Sequence, residues 1–438
     1  MKSLSALKFS LFSLLRLCLL LLPLAAQAGI PIQTWQTSQG AKVMFVESRS
    51  LPMLDIQVDF AAGSMFDPAG QSGLAALTRA VLDLGAGPWS ESDISSKLAD
   101  VGAKLGGGAD TDRASVNLRS LSATDKLHPA LELLQAILHQ PRFDPDIFAR
   151  ERERTIAGLK DSLTRPDTLA GRAFWQALYP QHPYGRQATP EGLEKLQAAD
   201  AQRFQQQHYT AANATISLVG DLDRAGAERI AEALAAGLPA GKRLALPAAP
   251  SLPGGGTQHV AHPASQSHIL IGLPTLERGN PDIFPLLVGN YTLGGGGFVS
   301  RLMQEVRDKR GYAYSVYSYF SPLRQAGPFQ IGLQTKRSQS KEALQLSLSI
   351  LRNFLADGPS EADLAAAKAN LVGSFPLRLD SNKKLLDNIA NIGFYNLPLD
   401  WLDRYQERLQ AVTAAQVKAA FAKYVKPRNM VTVIVAGE

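Results

Sequence analysis

Leu293-Gly-Gly-Gly-Gly-Phe-Val-Ser-Arg-Leu-Met-Gln-Glu-Val-Arg307-Asp-Lys-Arg-Gly311-Tyr-Ala-Tyr314-Ser-Val316 is the stretch on which the reading of the fold turns. Gly294, Gly295, Gly296 and Gly297 predict a loop in which backbone can approach backbone or ligand without side-chain obstruction. A helix is expected from about Phe298 to Gly311, a C-terminal glycine stop. A strand follows, with Tyr312, Tyr314, Val316, Ser318 and Phe320 expected on one face. Glu305 and Lys309 stand at i and i+4 and read as a supporting surface pair.

Working outward, the end of this half repeats the end of the other. Leu196-Gln-Ala-Ala-Asp-Ala-Gln-Arg-Phe-Gln-Gln-Gln-His-Tyr209 leads into an apolar run ending at Gly220, and Leu409-Gln-Ala-Val-Thr-Ala-Ala-Gln-Val-Lys-Ala-Ala-Phe-Ala-Lys-Tyr424 into one ending at Gly437. The repeat is far too long for a solenoid period and points to a duplicated domain. Between the copies, residues 237–256 are dense in Pro and Gly with no helical or strand period, and read as a linker. The expected division is therefore a segment 1–28, a first domain 29–236, the linker, and a second domain 257–438.

In the first half, residues 42–46 and 54–60 look like paired strands. Asp55, Gln57 and Asp59 alternate with Leu54, Ile56, Val58 and Phe60, which predicts one wet face and one dry face. A helix over 73–84, a strand over 114–121 and helices over 128–139 and 145–164 follow. The second half repeats the plan with strands at 268–272, 312–320 and 329–335. Strands and helices mix without a regular βαβ alternation, which predicts an α+β fold with largely antiparallel sheets.

At the start, Lys2, Lys8 and Arg16 precede an apolar run and Ala26-Gln-Ala28 follows it, the pattern of a secretory signal peptide. The run is short of the roughly 20 apolar residues of a membrane span, and no later stretch is long enough. Cleavage after Ala28 would leave 410 of the 438 residues, enough for two domains. Cys18, the single cysteine, would leave with the segment, so the mature chain has no disulfide. Without Lys2, Lys8 and Arg16 the formal charge of +6 falls to +3. That balance, with no basic run interleaved with aromatics, does not point to nucleic acid.

In the quoted stretch and across nearly the whole mature chain, the sequence resembles the pitrilysin and mitochondrial-processing-peptidase group of zinc peptidases, the inverzincins. The resemblance implies two homologous domains, each a largely antiparallel sheet with packed helices, facing across a cavity. It also implies that an Arg and a Tyr seven residues apart, here Arg307 and Tyr314, grip a peptide substrate near the glycine-rich loop. The alternative for this pair is a solvated helix residue and a tyrosine packed on the sheet. Active members carry His-x-x-Glu-His on the first helix of the first half: two histidines one turn apart hold zinc, and the Glu polarises the attacking water. Here that helix reads Ser72-Gly-Leu-Ala-Ala76-Leu-Thr-Arg79-Ala80. Ala76 and Ala80 replace the histidines and Arg79 the glutamate. Alanine has no lone pair to offer a metal. A guanidinium roughly 5 Å from a divalent cation would cost on the order of several kcal/mol even at an effective dielectric of about 20. The family's third ligand, a downstream Glu, falls within 155–158, where no carboxylate stands. His259 and His262 are the one close histidine pair, with no acid beside them. His182-Pro-Tyr-Gly matches a structural turn of the family, and Gly106-Gly-Gly108 replaces a segment that often shows Asn.

The expectation is a chain that binds no metal itself. It would act as the non-catalytic, substrate-binding subunit of a heteromeric zinc peptidase, secreted and periplasmic. It would lend Arg307 and Tyr314 to a homologous partner that has His-x-x-Glu-His and holds the zinc. The rival readings are a peptide-binding or scaffold protein of the same fold, and a self-sufficient hydrolase, for which no activated nucleophile is visible.

Overall fold

The computed structural model describes residues 29–436. The expected signal segment 1–28 and Gly437, the expected end of the last strand, lie outside the described residues. From Ile32 onward the chain forms one compact unit.

The first half builds a six-stranded sheet from β1 (Gln33–Gln36), β2 (Lys42–Glu47), β3 (Met53–Phe60), β6 (Lys104–Ala109), β7 (Ala114–Leu121) and β8 (Ala214–Gly220), with a small hairpin of β4 (Gly85–Ala86) and β5 (Trp89–Ser90) beside it. The second half builds a five-stranded sheet from β9 (Gly256–Val260), β10 (Gln266–Leu276), β11 (Ala313–Phe320), β12 (Gly327–Lys336) and β13 (Val431–Val435). The spatial orders are β1-β2-β8-β3-β7-β6 and β11-β12-β10-β13-β9. Read from the opposite end, the second order repeats the first without β1. In each sheet the first strand of the shared set pairs parallel with the last, β2 with β8 and β9 with β13, and every other pair is antiparallel. The duplication seen in the sequence is thus a duplication of topology, and the fold is α+β with two largely antiparallel sheets.

Two expectations about the first sheet are corrected. Strands β2 and β3 are close in sequence but are not partners: β8 lies between them and pairs with both. A short connection suggests a hairpin, and nothing local records that a distant strand inserts. Nor is one face of β3 wet, since Asp55, Gln57 and Asp59 are all buried. Their polarity is satisfied instead. Asp55 accepts from Arg119 through both oxygens, at 2.6 and 3.1 Å. Asp59 accepts from Gln57 at 2.9 Å and pairs with Arg113 at 3.5 Å.

The cover on that face is a helix from the other half. The helices that matter here are α1 (Leu74–Val81), α2 (Pro145–Ser162), α3 (Pro166–Leu178), α4 (Ala198–His208), α5 (Ile283–Asn290), α6 (Glu361–Gly373), α7 (Asn382–Tyr395) and α8 (Ala414–Tyr424). Each half packs its first helix against two later ones: α1 against α2 and α4, α5 against α6 and α8. The helices between are exchanged. α7 lies on β8, β3 and β2 of the first sheet, and α3 lies on β10 and β13 of the second. Ala170, Ala173, Phe174 and Leu178 of α3 share one apolar cluster with Val431, Val433 and Val435 of β13. Asp112 ties the exchange down: it accepts from Tyr184 Oη (2.7 Å), from Tyr395 Oη at the end of α7 (2.9 Å) and from the Arg324 backbone N–H (2.9 Å). The residues between the Arg224–Ala236 helix and β9 form no helix or strand but are pinned to both halves. Asn213 holds the backbone of Lys242 and Leu244, Gln325 bonds Pro247 O, and Asn429 bonds Pro253 O.

Candidate functional site

Helix α1 is positioned by Asp67, whose two oxygens accept from the Gly73 and Ala75 backbone N–H groups at 2.7 Å each. Burial pushes the Asp67 carboxyl up to about 6, against those two bonds and the nearby Arg186, which pull the other way. On α1, Ala76 and Ala80 are exposed and stand one turn apart, while Arg79 between them is buried. Its guanidinium donates to Ser115 O of β7 (2.6 Å), to Gly106 O of β6 (2.6 Å) and to Asp83 (3.2 Å). Gly107 of β6 makes room for it: a Cβ there would sit 2.9 Å from Arg79 Nη2 and 2.1 Å from Ser115 O, and its φ is +120°. The sequence shows Arg79 and the glycine run as separate departures from the family pattern. The structure makes them one device, a buried cation seated under the glycine run of a strand.

Zinc, which the resemblance implies at this helix in active members, does not fit these residues. Ala76 and Ala80 offer no donor, and the Arg79 cation is committed to carbonyls close by. Residues 155–158 lie on α2, which packs on α1, and Thr155 Oγ1 donates back to Glu151 O at 2.7 Å. Among the described residues no group of three His, Cys, Asp or Glu side chains could hold a metal ion. His262 has both ring nitrogens engaged, with Thr164 O at 3.0 Å and the Ala264 N–H at 3.1 Å. His182 is buried against Gln325 at 2.5 Å, and burial holds it below the usual imidazole range.

In the second half the glycine run is not one open loop. α5 continues as a π-helical turn over Tyr291–Gly295, so Gly294 and Gly295 belong to the helix end. A Cβ on Gly294 would lie 2.6 Å from the Ser318 backbone N, so glycine is needed there for helix-to-strand packing. Gly296 and Gly297 make the turn itself, Gly297 at φ +62° with open space around it. The expected helix is a 3-10 turn, Gly297–Val299, followed by a π-helical turn, Met303–Asp308, and it ends before Gly311 at φ +63°.

The expected common face of β11 is also corrected. Val316, Ser318 and Phe320 do share a buried face, but Tyr314 is parted from them. Ala313 pairs with Thr335 and Ser315 with Gln334, its next neighbour but one matched to the very next residue, so Tyr314 is the extra residue of a bulge. Bulges re-aim side chains, and this one leaves Tyr314 80% exposed. Arg307 stands beside it, its guanidinium 5.9 Å from the Tyr314 ring centre and 4.8 Å from that of exposed Phe298. It pairs with neighbouring Asp308 at 3.1 Å. Both residues line a recess of about 490 Å³ with Gln266, Gln334 and Lys336. The geometry brings Arg307 and Tyr314 together and presents donors outward; Gly294 is buried against Ser318 and Leu302. Glu305 and Lys309 pair at 2.5 Å.

Known proteins share this fold. Residues 42–189 match the family model described as insulinase (peptidase family M16), and residues 195–371 match the one described as peptidase M16 inactive domain. The chain is 26% identical to the "non-peptidase homolog YmxG" of Helicobacter pylori over 90% of its own length and 92% of that protein's. The crystal structure of a peptidase M16 inactive domain from Pseudomonas fluorescens superposes with a TM-score of 0.89 at 39% identity, covering 92% of this chain and 98% of that one. The periplasmic protease PqqL of Escherichia coli shares the fold at 19% identity and a TM-score of 0.79, over 93% of this chain and 45% of that longer one.

Proposed function

Because the chain belongs to the insulinase family of peptidases, family M16, we propose that it is the non-catalytic, substrate-holding subunit of a secreted zinc peptidase of two unlike chains. The observation that carries this reading is the contrast between its halves. In the first, the positions of the metal motif hold Ala76, Arg79 and Ala80, and Arg79 is fixed by strand carbonyls. In the second, Arg307 and Tyr314 stand together at the surface with hydrogen-bonding capacity to spare. A guanidinium fork and a phenol can bind carbonyls of an extended peptide. Opposite a partner's metal-activated water they would also steady the developing oxyanion. The zinc and the His-x-x-Glu-His set belong, in this reading, to the homologous partner. The N-terminal pattern supports export, and no helix of the described residues is long and apolar enough to cross a membrane.

The test is co-purification and reconstitution. The isolated chain is expected to hold no stoichiometric zinc by elemental analysis and to leave an unstructured peptide uncut. Mixed with a homologue that carries the intact motif, it should restore cleavage. Arg307→Ala and Tyr314→Phe should each lower that activity by about 100-fold, the scale of a lost oxyanion donor. Activity indifferent to both substitutions removes their assigned role. Recovery of the native complex without any zinc-bearing chain makes the protein a scaffold instead.

A further inference from the structure

Lys42, Arg243 and Arg324 line a cavity of about 510 Å³ between the halves, and no Asp or Glu lines it among the described residues. We propose that this cavity is a binding site for a phosphate group, free or carried on a small organic molecule.

The three cations come from three separate segments. Lys42 opens β2, Arg324 lies in the turn between β11 and β12, and Arg243 lies in the irregular stretch before β9. Arg243 is held in place although its segment has no regular structure: Asn213 donates to Lys242 O at 3.2 Å and accepts from the Leu244 N–H at 3.1 Å, gripping the chain on either side of it. Phe66 and Phe394 supply apolar wall.

Part of the charge has a structural use. Lys42 Nζ donates to Gly393 O at 3.1 Å and to Asn396 Oδ1, and an Arg324 Nη donates to Phe394 O at 2.6 Å. These carbonyls end α7, so the two cations cap a helix C-terminus, which carries about half an elementary charge. With the carboxylate of Asp112, whose field reaches Arg324, that leaves about half of the three positive charges unbalanced. The Asp112 oxygens are already committed to Tyr184, Tyr395 and the Arg324 backbone. Arg324 Nε is buried with no hydrogen-bond partner among the described residues, and buried donors are rarely left so. Lys42 is held below the usual lysine range by burial first, and then by the fields of Arg243 and Arg324. The cations therefore sense one another, and an oxyanion among them would relieve that repulsion and accept from the free guanidinium edges. Arginine forks match the tetrahedral oxygens of phosphate, and a dianion answers three cations better than a single carboxylate does. The volume leaves room for an organic group on the phosphate.

Calorimetric titration and thermal unfolding of the full chain test this, with inorganic phosphate and glycerol 3-phosphate as probes. Acetate and sodium chloride at matched ionic strength serve as controls. Both phosphates should bind and raise the unfolding midpoint while the controls do not. The tighter of the two tells whether the site takes the free ion or an ester. Arg243→Gln should weaken binding at least about 10-fold without lowering the midpoint in chloride, because Arg243 is exposed, its loss uncovers no buried acceptor and the remaining cations repel one another less. Arg324→Lys keeps the charge, loses the fork and should also bind more weakly. Arg310→Gln, exposed elsewhere, should bind as the parent does. Phosphate binding no stronger than matched salt, or binding indifferent to Arg243→Gln, overturns the proposal.

Discussion

The alanines at 76 and 80 and the arginine at 79 state in one-letter code that this helix offers zinc nothing, because ligand chemistry depends on side-chain identity alone. Where the arginine goes is a different kind of fact. Its partners, Gly106 O and Ser115 O, are backbone atoms on strands that the chain reaches only after further folding, and no property of residue 79 names them. The seating makes Arg79 a structural residue. Arg79→Met should keep much of the buried aliphatic volume and leave two carbonyls and Asp83 without their donor, lowering stability by about 2–4 kcal/mol in urea unfolding. Rewriting the motif as Ala76→His, Arg79→Glu and Ala80→His should incur the same loss and still not give stoichiometric zinc by elemental analysis, since 155–158 supply no third ligand.

Among the elements, α1 shows how a helix start stores a charge. Asp67 satisfies two otherwise unpaired N–H groups while buried deeply enough that its carboxyl ionises near 6, not 3.8. With the folded-state value raised, the folded protein holds this proton more tightly than the unfolded chain. The resulting stabilisation is complete below about pH 4 and is lost as pH rises through 6, a change of about 3 kcal/mol. Chemical denaturation of the parent and of Asp67→Asn across pH 3.5–7 isolates it: the stability of the parent relative to the variant should fall across that window. A flat difference would mean that the two N–H donors offset burial, and a rising one that they outweigh it. The bulge in β11 carries the opposite lesson for legibility. Alternation predicted Tyr314 on the same side as Val316 and Ser318, and one unmatched residue turned it outward. Period-two reading holds until the pairing slips, and the slip depends on β12, far along the chain. The glycine run misled in the same way: its composition says permissive backbone, but Gly294 is glycine because a strand crosses 2.6 Å from where a Cβ would be.

Across the whole molecule, the duplication was legible because Leu196–Gly220 and Leu409–Gly437 repeat a pattern within each copy. The exchange of α3 and α7 was not, since amphipathic spacing says which face of a helix is buried and never against which sheet. Asp55, Gln57 and Asp59 read as solvent-facing for that reason; their cover is contributed from more than 300 residues away, as the Lys42–Gly393 bond shows. The exchange makes the halves one cooperative body. Phe174→Ala, in a helix encoded in the first half, should unsettle the second sheet, at about 3–5 kcal/mol, and hydrogen exchange should speed up in β10 and β13. Neither 29–236 nor 257–438 should give a sharp unfolding transition when produced alone, while the two produced together should. Each half surrenders the same helix to its counterpart, which is the geometry of two identical short polypeptides related by a dyad and later spliced end to end. Copies joined end to end no longer have to match, so one half can offer a metal no ligand while the other presents an arginine and a tyrosine.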